Sequence, residues 1–216
     1  EYAHAVDVIE RLAMAHPHVA FSLGDGSRTS LRLNEAAGDL FEARLARLGA
    51  VVGRDFEDNA LPIEAEREGI RLSGYAGLPT INKRTTSHQF LFVNGRPVRD
   101  KLLYGAVRGA YMDFISHDRH PMLALFLDVP PEAVDVNVHP AKREIRFREE
   151  AKARGFAVRT ILEALRGEAE SLLDARPSEN DSSLRPRLPT KFKDRSVSVS
   201  PEPPQPRRIV TQAPEP

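Results

Sequence analysis

The chain has 216 residues, 41% of them hydrophobic, with 31 basic and 31 acidic side chains and hence no net charge at pH 7. That length allows one well-formed core, and the zero balance excludes a uniformly basic nucleic-acid or membrane binder, leaving any such binding to local patches. Zero cysteines exclude a disulfide framework and a thiolate zinc site, and neither a long apolar run nor a basic-then-apolar leader is present, so a soluble, cytoplasmic chain with no membrane partner is expected.

Glu1 in place of a methionine suggests a fragment. Ala5, Ile9, Leu12 and Ala13 share one helical face ahead of His16 and Pro17. The runs 19–23 and 30–33 flank Gly24, Asp25, Gly26 and Ser27 as a hairpin, and the glycine pair is too short for a calcium loop. Residues 38–48 read as a short helix through Leu40, Ala43, Leu45 and Leu48. Alternation places strands at 61–66 and 70–76, with Glu64, Glu66 and Glu68 as the wet side of a strand rather than an acid/base pair.

A strand at 90–93 ends in Asn94-Gly95, which reads as a turn needing Gly95 for its backbone. Asp100 is an N-cap for a helix on which Leu103, Val107, Ala110 and Phe114 recur at helical spacing. A strand at 122–128 leads to another from Val134 and to Ile145-Arg146-Phe147, and a last helix at 149–174 carries Val158, Ile161, Leu165 and Leu172. Interleaved helices and strands with some antiparallel pairing make the class mixed α/β, expected as an α+β two-layer arrangement.

Composition divides the chain into a domain over 1–174 and a Pro-rich linker over 175–216. Residues 177–216 hold nine of the 17 prolines and only Phe192 as an aromatic, too little apolar surface to offset an ordering entropy of about 1 to 2 kcal/mol per residue. The linker is expected to be disordered, a tether with a polyproline II stretch at 201–206.

Two segments could carry chemistry. In 134–147, Val134, Val136 and Val138 share one strand face while Asp135, Asn137 and His139 share the other. Pro140 removes a ladder donor and fixes its own φ, so Lys142 is delivered just past the strand end, where a compact cation suits a phosphate. Read without further knowledge, such a lysine is equally a solvated loop charge. Between 83 and 108, Lys83, Arg84, Arg96, Arg99, Lys101 and Arg108 are opposed only by Asp100, a local basic field that suits DNA phosphates or is simply a solvated face. His117 and His120 read as loop residues rather than metal ligands, and no metal site is expected. Phosphate loops, dinucleotide fingerprints, zincin motifs and serine elbows are absent, so no catalytic residue is assigned.

The segment from Gln89 to Lys101, with Phe92-Val93-Asn94-Gly95-Arg96 inside it, and the segment from Val134 to Phe147, with Asp135 to Lys142 inside it, together resemble the MutL family of DNA mismatch repair proteins. Leu12 to Pro17, Gly69 to Gly74 and Gly77 to Pro79 extend the resemblance over about residues 1 to 170. It implies a transducer domain with a ribosomal S-five-like fold, downstream of a GHKL ATPase domain that holds the general base. It further implies that Lys142 senses the terminal phosphate of ATP, and that Lys101, with Arg99 and Arg96 behind it, lines a DNA-binding groove. Asn94, Gly95, Asn137, His139 and Pro140 then support the two motifs.

The same resemblance implies ATP and Mg2+ as cofactors of the intact protein but of no part of this chain, with an endonuclease in a distal domain left open. The partners it implies are DNA, a MutS-type mismatch recognition protein, a repair endonuclease or helicase, and a second copy in a homodimer. Two alternatives stay open at this point: a stand-alone nucleic-acid-binding S-five-like module, and the transducer of another GHKL protein such as a type II topoisomerase or a chaperone.

Overall fold

Two strands that are apolar at almost every position organise the fold. A strand facing water on one side alternates; one buried on both faces does not. Phe90, Leu91, Phe92 and Val93 are each no more than 2% exposed, and Leu123 through Leu127 no more than 4%, so both runs lie inside the protein. The computed structural model describes residues 1–24, 26, 28–135 and 145–174, with side chains through 171.

In chain order the elements are α1 (Tyr2–Ala15), β1 (Phe21–Gly24), β2 (Thr29–Leu33), α2 (Leu40–Val52), α3 (Arg54–Glu57), β3 (Ala60–Arg67), β4 (Ile70–Gly77), β5 (Asn82–Lys83), β6 (Gln89–Val93), β7 (Arg96–Val98), α4 (Lys101–Tyr111), β8 (His120–Pro121), β9 (Leu123–Asp128), β10 (Val134–Asp135), β11 (Arg146–Phe147) and α5 (Glu150–Asp174). The main sheet has five strands in the order β3-β4-β9-β6-β7. All pairs are antiparallel except β6 with β9, which run parallel with Leu91 opposite Leu125. A parallel pair needs a long crossover, and α4 lies within it.

Side chains sort by parity onto the two faces. Ile63, Leu72, Leu91, Val93, Leu123, Leu125 and Leu127 pack with α4 and α5 through Leu103, Val107, Ala157, Ile161 and Leu165. Tyr75, Phe90, Phe92 and Phe126 point the other way, against Met14 of α1, Leu48 of α2 and Phe56 of α3. Phe92 and Phe126 stack with ring centroids 4.6 Å apart. The mixed α/β class with a mixed sheet packed by helices stands as expected. The packing adds a layer to the expected two, because α1, α2 and α3 cover the face that a two-layer arrangement leaves to water.

Two helices bury arginine where apolar residues are expected. On α1, Leu12 is 37% exposed while Arg11 is 6% exposed; on α2, Leu40 is 48% exposed while Arg47 is 1% exposed. Arg47 Nη2 donates to the carbonyls of Pro17 and Val19, each at 2.7 Å, and so ties the loop after α1 to α2. The start of α2 is fixed by Asp39, whose Oδ1 accepts from the amides of Phe41 and Glu42 at 2.8 and 2.9 Å, while Glu42 reaches back to the Asp39 amide. Glu64 and Glu66 lie on the exposed side of β3, whereas Glu68 sits with Gly69 in the β3–β4 turn at φ 52° and 77°. No helix among the described residues is long and apolar enough to cross a membrane.

Candidate nucleic-acid interface

The site is built around the start of α4. Asp100 is 7% exposed, and its Oδ1 accepts from the amides of Leu102 and Leu103 at 2.9 and 3.1 Å, which satisfies two of the helix's orphan donors and sets its first turn. Lys101 is therefore the first helical residue, and it is exposed. A cation there stands against the positive end of the helix dipole, so it gains nothing from its own helix.

Arg99, just ahead of the cap, is held differently. Its Nη2 lies 2.6 Å from Asp7 Oδ2 on α1, and the other carboxylate oxygen of Asp7 is 3.1 Å from Arg11 Nε. Partial burial pushes the Asp7 carboxyl up, but the Arg11 and Arg99 guanidiniums together outweigh that and hold it below the usual carboxylate range. Burial raises Glu10 on the same helix, and the Asp7 charge raises it further. Arg11 completes the cluster, donating to the Gln89 carbonyl at 3.3 Å with its guanidinium 5.3 Å from the Phe90 ring centroid.

Asn94 and Gly95 form the two-residue turn between β6 and β7, at φ 48° and 75°. Both angles are left-handed, as a type I′ hairpin turn demands, and Asn and Gly are the residues that tolerate them. Asn94 also anchors the turn to the sheet: its Oδ1 accepts from the Val129 amide at 2.9 Å and its own amide donates to the Leu127 carbonyl at 3.0 Å. Arg96 leaves this turn exposed, three residues and so roughly 10 Å along the strand from Arg99. Lys83 pairs with His120 through β5 and β8, and Arg108 lies two turns beyond Lys101 on the same side of α4. Among the described residues Lys83, Arg84, Arg96, Lys101 and Arg108 make no salt bridge.

The second segment is described only at its ends. β10 and β11 pair antiparallel, Val134 opposite Phe147 and Asp135 opposite Arg146, with Val134 half-buried and Asp135 exposed. Lys142, Asn137, His139 and Pro140 lie outside the described residues. His117 and His120 line a cavity beside α4 with three arginines, and no group of three His, Asp or Glu able to hold a metal ion occurs among the described residues.

Residues 48–166 match the model of the family described as DNA mismatch repair protein, C-terminal domain. The DNA mismatch repair protein MutL of Rhodospirillum rubrum is 65% identical over 165 residues, which cover 76% of this chain and 26% of that protein. The chain belongs to the MutL family of DNA mismatch repair proteins. MutL of Paramagnetospirillum magneticum is 58% identical over 167 residues, covering 77% of this chain and 28% of that protein. The chain spans about a quarter of the length of these curated MutL relatives. A crystal structure of the N-terminal domain of a DNA repair protein shares the fold at a TM-score of 0.64 and 21% identity, over 79% of this chain and 55% of that one.

Set in a MutL chain, the basic segment of the sequence resolves into unequal parts. Lys101 is unpartnered by any carboxylate among the described residues, Arg99 is paired, and Arg96 stands apart at the far end of β7. Sequence reasoning missed Asp7 and Arg11 as electrostatic neighbours of Arg99. Their signal is long-range, and only the fold brings them together.

Proposed function

We propose that this chain is the transducer part of a MutL ATPase region, which offers DNA a basic face on α4 and relays nucleotide occupancy from a neighbouring domain. The observation that carries the DNA half is Lys101, exposed at the first position of α4 without a carboxylate partner among the described residues. A lysine so placed contributes little to its own helix and is available to phosphate. Arg96 and Arg99 lie behind it, and Arg99 adds less because Asp7 already answers its charge. Binding of this kind is independent of sequence and weakens with salt.

The ATP half rests on the second motif. ATP and Mg2+ belong to the intact protein, and their chemistry there is phosphoryl transfer to water. The contribution proposed for this chain is Lys142, reaching a terminal phosphate bound by another domain and offsetting its negative charge. A charge-assisted hydrogen bond of about 1.5 to 3 kcal/mol suffices to favour one domain orientation over another. Asn137, His139 and Pro140 belong to the same motif and are assigned its support. In this reading residues 1–174 form the transducer and 175–216 a tether. The intact protein works in the cytoplasm as a homodimer on DNA, between a MutS-type recognition protein and a repair endonuclease or helicase.

Two substitutions in the full-length protein test the halves separately. Lys101→Glu is expected to weaken DNA binding, and unchanged affinity would remove the DNA role. Lys142→Ala is expected to slow ATP turnover about tenfold or more, the loss of one charge-assisted hydrogen bond, with DNA binding intact, and unchanged steady-state turnover would remove the sensor role.

A further inference from the structure

Beside the exposed face of α4 lies a cavity of about 570 Å³, within the size range of small-molecule sites. Its walls carry Arg108 from α4, Arg119 and His120 from the segment into β8, and Arg154 from α5, and among the described residues no carboxylate lines it. Asp113 and Asp118, close by in sequence, do not line it. None of the three arginines makes a salt bridge among the described residues. Arg119 is oriented by uncharged groups, the side-chain and backbone oxygens of Asn82, and Arg108 Nη2 reaches only the His117 carbonyl, at 3.5 Å. These contacts position the guanidiniums without neutralising them.

The cavity also has an apolar and aromatic side. Tyr104 lines it half-buried, and Met112, 60% exposed, is the most exposed large hydrophobic residue of the described chain. Cations with an aromatic and a thioether surface, in a space of this volume, fit an anion joined to a flat ring. Lys101 and Arg108 share one side of α4 about 10 Å apart along the axis, so a strand whose backbone meets Lys101 comes to this cavity.

We propose that the cavity takes one nucleotide of a single-stranded DNA segment, with its base against Tyr104 and Met112 and its phosphate among Arg108, Arg119 and Arg154. The proposal rests on the DNA-binding reading and deepens it, because a base stacked in a duplex enters only after unpairing. The chain therefore discriminates single strands from duplex through this cavity, while the basic face serves both.

Gly105 allows a test that leaves every charge in place. It lines the cavity, and a Cβ built on it meets nothing within 4 Å. Gly105→Leu fills the space and raises helix propensity, so the melting temperature of the full-length protein is expected to hold or rise. Binding is measured by fluorescence anisotropy with oligothymidylate and with a duplex of equal length at one salt concentration. The expected result is single-strand affinity down about tenfold, the size of one missing base–aromatic stack, with duplex affinity within about twofold. Tyr104→Leu, which keeps bulk but removes the ring, is expected to act in the same direction. An unchanged ratio of single-strand to duplex affinity in both variants overturns the proposal. Lys101→Glu run in parallel separates the two readings: weakening of both substrates keeps DNA binding standing whatever the cavity does, and no weakening of either removes both.

Discussion

Arg99 Nη2 lies 2.6 Å from Asp7 Oδ2, an ion pair that joins the loop before α4 to the first helix across 92 residues of sequence. The same carboxylate receives Arg11 Nε at 3.1 Å, so one acid serves two guanidiniums at the edge of the basic face. Asp7 thereby tempers the charge that DNA would meet.

Removing that acid is expected to strengthen DNA binding. Asp7→Asn in the full-length protein releases Arg99 toward phosphate, raising affinity a few-fold and steepening the plot of log K against log salt by up to about 0.9. The effect on folding runs the other way and depends on pH. The Asp7 carboxyl titrates below its ordinary value in the folded chain, so its contribution is fully present above about pH 4 and is lost as pH falls through the lowered value. The pair is part-exposed, at 45% for Arg99 and 26% for Asp7, and solvent screening limits it to under about 1 kcal/mol. Urea unfolding of wild type and Asp7→Asn is expected to show a stability gap at pH 7 that closes below about pH 4. A gap that widens in acid would contradict the pairing.

Gly74 is where the sheet leaves no room for a side chain. It pairs with Leu125 in β4–β9 at φ 130°, and a Cβ there would sit 2.1 Å from the Ala124 carbonyl oxygen, a backbone atom that cannot swing aside. Gly74→Ala is expected to destabilise the domain by about 2 to 3 kcal/mol, from a strained φ and a displaced strand. Thermal unfolding checks it, and a melting temperature equal to wild type would show that β4 approaches β9 less closely than described.

Local signals were legible in the sequence and long-range ones were not. Asp100 as an N-cap and Asn94-Gly95 as a turn follow from chemistry within four residues, and both stand in the structure. Asp39 and Glu42 carry an equally local capping-box signal, which places the start of α2 more closely than its apolar spacing does. The unbroken apolar runs at 90–93 and 123–127 hold the reason for the third layer, since a strand without alternation is buried on both faces.

The apolar stripes of α1 and α2 misled at Leu12 and Leu40, because Arg11 and Arg47 turn inward to reach carbonyls that lie far off in sequence. Within the candidate site, the basic cluster was visible as composition. Its division into a paired Arg99 and an unpaired Lys101 needed α1 brought beside the start of α4, and the cavity draws its walls from three separated segments, 86–89, 104–121 and Arg154, so no single window of sequence displays the whole of it.

If Lys101 on α4 meets DNA phosphate, its charge is written into the salt dependence of binding. For the full-length protein, log K against log salt is measured on one duplex for wild type and for Lys101→Glu. Binding of Lys101→Glu is expected to be weaker at every salt concentration, with a slope shallower by about 0.9 or more, because one phosphate is left without its cation and faces a carboxylate instead. Parallel lines, or an unchanged affinity, would contradict it.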